Sequence, residues 1–264
     1  MSRWFPRSGS AAGASGPDDP LDAAEGLRLS YGQSGDPQQL QRALKLATRA
    51  KEQYGPDDPR HAASLSALCM LHRLRWERTR SREALDEAVG YGRAAVEVSP
   101  PGDPLLVRHM SSLATALQEV FDAGGEMAVI EEAIMLYRGC LDLIEHDDDE
   151  YAGQQSNLAN SLLRRAQREP DPLVQDEAIR YARAALRATP PDSPGYPIRL
   201  VNLGGTLAAL ANSAQGVDQA RSMLDEAQSL WERALRRFPP GHPARGRLQD
   251  SLMTIQMVRL TLGD

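Results

Sequence analysis

One small residue returns at a fixed interval along this chain, and that constrains the fold more than any bulk property. Ala43, Ala88, Ala133 and Ala178 are 45 residues apart, and Ala227 follows after 49. Seven residues beyond each stands a second small residue: Ala50, Ala95, Cys140, Ala185 and Ala234. Leu68, Leu113, Leu158, Leu203 and Leu252 keep the same rhythm, 25 residues behind each first alanine. A repeat of this length is a supersecondary unit that cannot bury its apolar face alone, so successive units must stack. Length alone would allow one or two domains in 264 residues, but the repeat predicts one continuous array.

Each unit reads as two helices. The second is clearest in 84–98, 129–144, 174–188 and 223–237, where apolar residues recur at i, i+3 or i+4, and i+7. Asp-Glu or Glu-Glu pairs open these segments and suit the positive end of the helix dipole. The small pairs seven apart share one face, two turns apart, and a larger residue there would overpack the seam by about 1–3 kcal/mol. First helices follow over roughly 59–79, 104–122, 150–168 and 194–212. Asp19-Pro20, Asp58-Pro59, Asp103-Pro104 and Ser193-Pro194 suit an N-cap followed by a first helical proline. Four extra residues around Ser213–Met223 are assigned to an inter-helix turn, and 243–261 to a terminal capping helix.

The spacing of Ala88, Ala95 and Pro100, of Ala178, Ala185 and Pro190, and of Ala227, Ala234 and Pro239 resembles the tetratricopeptide repeat (TPR). Asn157-Leu158-Ala159 and Asn202-Leu203-Gly204 look like that family's first-helix signature. The family period is about 34 residues against 45 here. This elongated form is similar to actinobacterial and fungal repeats found beside CHAT protease or nucleotide-binding signalling domains. The resemblance implies an all-α, right-handed superhelical solenoid of five antiparallel hairpins and a C-terminal cap. The expected boundaries are a tail at 1–19, hairpins at 20–55, 56–100, 101–146, 147–190 and 191–241, and the cap at 242–264.

Composition and motifs bear on function chiefly by exclusion. A formal charge of −6 gives no basis for a nucleic-acid partner. No stretch is apolar enough to span a membrane. The segment MSRWFPRSGSAAGASG lacks the apolar run of a secretory signal and reads as a flexible tail, with a docking peptide on Trp4 and Phe5 as the other reading. Cys69 and Cys140 stand where other units carry Ala or Gly, so they read as small core residues of a cytoplasmic protein. No nucleophile elbow, phosphate loop, dinucleotide fingerprint or metal-spaced Cys/His cluster is present, so neither enzymatic activity nor a cofactor is expected. His72 falls at a core leucine position, and the run 146–150 suits capping and solvation better than metal binding. Trp231 is expected to pack in an inter-repeat seam. Arg73, Arg75, Arg78 and Arg80 suit a helix C-terminus, or else an acidic partner surface.

The resemblance places a partner groove on the concave, first-helix side. Residues opposite the buried leucines are Arg108, Ser112 and Thr115; Asn157, Asn160 and Arg164; Asn202; and Arg247. Asn amides can bond both backbone groups of a bound peptide, and Arg can pair with acids. Asn160, Asn202 and Arg247 partly match the family's carboxylate clamp, while Ser156 and Ser251 stand where it carries basic residues. A protein-binding groove, a true clamp and a merely solvated face all remain open on these residues. The function expected is a non-catalytic adaptor or scaffold; the alternative is a sensory or regulatory subunit of a CHAT-protease or NTPase system, binding a small molecule or signal peptide. The apolar last helix, with Ile255, Val258, Leu260 and Leu262, is a candidate homodimer interface.

Overall fold

The computed structural model describes residues 19–100, 102–145 and 149–261. It falls into two compact units, 1–136 and 137–264. The tail with Trp4 and Phe5, most of the 146–150 run, and Leu262 lie outside the described residues.

The first unit holds α1 (Pro20–Ser34), α2 (Pro37–Gln53), α3 (Pro59–Thr79), α4 (Arg82–Val98), α5 (Leu106–Asp122) and the start of α6 (Met127–Leu143). Each helix packs on the next from α1 to α5, and the first helices α1, α3 and α5 also meet in succession. The second unit holds the end of α6, then α7 (Asp149–Arg168), α8 (Pro172–Ala188), α9 (Tyr196–Leu210), a 3₁₀ turn (Ala211–Ser213), α10 (Val217–Arg237) and α11 (Ala244–Thr261). Here α7 packs on α8, α8 on α9, α9 on α10 and α10 on α11. No described residue lies in a strand.

Aspartate-proline pairs start the helices. Asp19, Asp36, Asp58 and Asp171 each accept a hydrogen bond at 2.8–2.9 Å from the backbone N–H two residues on, with proline at the first helical position. Each cap contributes about 1 kcal/mol. Asp36-Pro37 and Asp171-Pro172 do this for second helices, so the same cap serves both helix sets. At Asp103 and Ser193 the side chain makes the equivalent bond, to Leu105 at 2.8 Å and Gly195 at 3.2 Å, but a turn intervenes before α5 and α9 begin.

The small-residue columns are the packing seams. All five first alanines and their partners seven residues on are buried, as are Leu68, Leu113, Leu158 and Leu203. Size is exchanged across the seam between paired helices. In the second unit Trp231 of α10 lies over Gly204 of α9, where an added Cβ would come within 2.5 Å of the indole nitrogen. Trp231 Nε1 donates to the Val201 carbonyl at 3.1 Å, so its one polar atom is satisfied. In the first unit the exchange is milder: Cys69 faces Gly92, whose added Cβ would meet Sγ at 3.1 Å. Where neither side is large, Ala159 and Ala182 are both buried in the second unit's core.

The structure moves two expected features. The four extra residues of the fifth repeat do not widen the turn. They add one turn to the front of α10, which begins ten residues before Ala227, whereas α8 begins six before Ala178. Ala220 and Leu224 are both buried and extend the apolar stripe by one i+4 step, which holds those residues helical; Gly216, at φ 139°, takes the preceding bend. The leucine series also ends early. Leu252 is only half-buried, while Leu248 and Ile255 point into the core, so α11 docks on a rotated face.

Candidate functional site

The first-helix face carries the polar side chains picked out by the repeat. In the first unit Arg108 is exposed on α5 and lies 3.7 Å from Glu25 of α1, which also holds Arg28 at 2.7 Å. Ser112 Oγ donates to the Arg108 carbonyl at 2.8 Å and lies 3.5 Å from Ser66 Oγ on α3. Thr115, half-buried, donates to the Ser111 carbonyl at 2.9 Å. One turn further along, Arg73 bonds Glu119 at 2.8 Å and also pairs with Glu77. Burial keeps the Glu119 carboxyl above its usual pKa despite that arginine.

In the second unit Asn157, Asn160 and Arg164 share one face of α7 and are half-buried. Arg164 Nη1 donates to the Asn160 carbonyl at 3.3 Å, and the Asn157 carbonyl accepts from Ser161 at 3.3 Å. Asn202 of α9 reaches across the seam, its Nδ2 donating to Ser156 Oγ at 2.8 Å. Two positions compared with a carboxylate clamp are therefore bonded to each other. Arg247 is exposed on α11 and its carbonyl accepts from Ser251 at 2.9 Å. The seam contacts obey one register: Ser66–Ser112, Ser156–Asn202 and Arg73–Glu119 each join residues 46 apart.

The second helices carry their own register. Arg93 pairs with Glu132 at 2.6 Å in the first unit; Arg138 pairs with Glu177 at 2.9 Å and Arg183 with Glu226 at 2.6 Å in the second. The acidic residues that open these helices thus serve the preceding helix as well as the dipole. The signal was readable, since Arg93, Arg138 and Arg183 fall 45 apart. These pairs are largely exposed and contribute about 0.2–1 kcal/mol each, so they set register more than stability.

One cluster has the composition of a hydrolase triad without its geometry. His109 Nδ1 lies 2.9 Å from Ser99 Oγ and 3.7 Å from Asp103 Oδ2. Both partners address the same ring nitrogen, whereas a triad needs the base on one and the orienting acid on the other. Ser99 also donates to the Ala95 carbonyl at 2.8 Å, and His109 Nε2 is buried without a partner. The cluster pins the α4–α5 connection. His72 sits against Glu87 at 2.8 Å and beside the Tyr91 ring, in the core position expected of it. Burial pushes the thiols of Cys69 and Cys140 up to about 12, which removes them as nucleophiles. Among the described residues no group of three or more His, Cys, Asp or Glu could hold a metal ion, and no helix is long and apolar enough to cross a membrane.

On α11, Ile255 is buried inside the second unit, so its side chain is used in the internal core. Val258 is half-buried; the side chain of Leu260 is outside the description. The exposed apolar residues of this helix are instead Met253 and Met257, at 56% and 61%. Arg245 holds the helix entry by donating to the Phe238 carbonyl at 2.9 Å, and Arg259 pairs with Asp225 at 3.0 Å.

Helix hairpins stacked through small-residue seams, with polar registers on both helix sets, define an all-α repeat solenoid. No protein-family model matches the chain, and no curated protein sequence does. Solved structures do. One is a Podosopora anserina protein designated a kinesin light chain with nearly identical TPR-like repeats, at 16% identity and TM-score 0.56, covering 81% of this chain and 96% of that one. Another is the assembly chaperone of RpL4, Acl4, at 21% identity and TM-score 0.57, covering 92% and 84%. A third is BtubC from P. vanneervenii, at 17% identity and TM-score 0.51, covering 84% and 92%. At such identities the likeness speaks to fold, and the fold is a TPR-like helical repeat.

Proposed function

We propose that this chain is a non-catalytic scaffold or adaptor that takes a partner protein or peptide on its first-helix face. The observation that carries the reading is the division of labour on the first helices. Leucines and small residues face the seams and are buried, while Arg108, Asn160 and the repeat-equivalent pair Asn157 and Asn202 keep part of their surface in water. A repeated polar register beside a rigid seam gives a peptide regularly spaced donors and acceptors. One solved structure of this fold is an assembly chaperone for another protein, a use that fits the same reading. The test is a tagged pull-down from the native organism, wild type against an Asn157→Ala/Asn160→Ala/Arg164→Ala variant with unchanged helical circular dichroism. The reading expects one defined partner to be lost; equal recovery by both would remove this face from the account.

A further inference from the structure

The arginines of the first-helix face differ in one respect. Arg73 is neutralised by Glu119 and Glu77, and Arg108 by Glu25. Arg199, in the first turn of α9, pairs with no carboxylate among the described residues, and its Nε is buried without a hydrogen-bond partner. Its guanidinium lies in the α7–α9 seam over Gly153, where an added Cβ would come 3.5 Å from Nη2 and meet nothing else within 4 Å. Gly153 and Arg199 are 46 residues apart, the register of the Ser156–Asn202 hydrogen bond one turn along. At the same repeat position α3, α5 and α7 carry Ser64, His109 and Gln154, all buried, and burial holds the His109 pKa down to about 4, so that it is neutral at pH 7. The nearest acid along α7, Glu150, is engaged by Gln154 at 3.4 Å. Burial lowers the pKa of Arg199, with no acid among the described residues opposing it. A cation in the first turn of a helix also faces the positive end of the dipole. Every local term disfavours this residue, which is the pattern of a side chain kept for a ligand.

We propose that Arg199 is an anchor for a side-chain carboxylate of the partner, held where its guanidinium lies beside Gly153, one turn of α9 before Asn202. This rests on the first-helix reading and names the chemistry of what binds there. The planar guanidinium presents paired donors to one carboxylate. The sign of the charge selects an acid, and a peptide blocked at both ends separates a side-chain carboxylate from a chain end.

The test uses the full chain and a fluorescein-labelled ten-residue peptide of alternating Glu and Ala, blocked at both ends, titrated by anisotropy. Wild type is expected to bind it, and the Gln-Ala counterpart at least about tenfold more weakly. Arg199→Gln should lose about tenfold or more, while Arg187→Gln, which removes an exposed arginine from α8, should not. Without peptide, Arg199→Met should melt higher than wild type, because a half-buried charge whose Nε has no hydrogen-bond partner has gone. No binding by wild type, equal binding by Arg199→Gln, binding that needs a free C-terminus but not Glu, or a lower melting temperature for Arg199→Met would each overturn the proposal. In the pull-down, a partner lost from the triple variant but kept by Arg199→Gln would sink the anchor and leave the face; a partner kept by both would sink the face itself.

Discussion

His109 supplies a pH dependence whose size follows from its surroundings. Its side chain is 1% exposed, and burial pulls its pKa from the usual 6.5 down to about 4, with Arg108 adding to that and Asp103 opposing it. The folded pKa lies below the unfolded one, so between these values the unfolded chain carries a proton that the folded chain refuses. Stability is therefore fully present above pH 6.5 and is lost as the pH falls towards 4. At 1.36 kcal/mol per unit, the loss reaches about 3 kcal/mol. Other groups titrate over the same range, so the measurement is a difference. Urea unfolding of wild type and His109→Gln is compared at each half unit from pH 7 to 4; glutamine is the residue the chain itself uses at this repeat position, as Gln154. The variant is expected to gain on wild type by about 1.4 kcal/mol per unit below pH 6.5. Parallel curves would refute the reasoning and place His109 in water or in a charged pair.

Three further outcomes follow from particular contacts. Gly204→Ala drives a Cβ against the Trp231 indole and should cost about 1–3 kcal/mol despite the better helix propensity of alanine, with Trp231→Leu in the same chain recovering part of it in thermal melts. Cys69 and Cys140, buried and raised to about 12, should resist a thiol reagent in the native protein and react on unfolding; fast native labelling would contradict the packing. If Met253 and Met257 form the surface of a homodimer, Met253→Asp/Met257→Asp should convert a dimeric mass to a monomeric one by light scattering. A monomeric wild type at micromolar concentration would end that expectation.

The helices and their seams were legible because each makes a demand that returns every 45 residues. Ala88 and Ala178 must be small for neighbouring helices to meet, and no other residue type satisfies that at five positions in step. What recurs only once was harder to see. The four residues before Met223 read equally well as loop or helix until Ala220 is seen to be buried, a tertiary fact. Leu252 kept the rhythm of its series, yet α11 rotates so that Leu248 and Ile255 face the core instead. The polar face was located by counting from the leucines, but periodicity does not reveal pairing: that Asn202 spends a donor on Ser156, or that Arg199 meets no carboxylate among the described residues, depends on the 46-residue offset between neighbouring first helices. The Arg93, Arg138 and Arg183 series is visible in the spacing; that each reaches a glutamate opening the next second helix depends on how those helices pack.

The most direct test of the central claim is a pair of photocrosslinkers in the full-length protein, one at Asn160 on the first-helix face and one at Arg180 on the second-helix face. Expressed in the native organism and irradiated, the Asn160 protein should form a covalent adduct with one partner polypeptide, and the Arg180 protein should not. An adduct at Arg180 with none at Asn160 would contradict the account and move partner binding to the second helices.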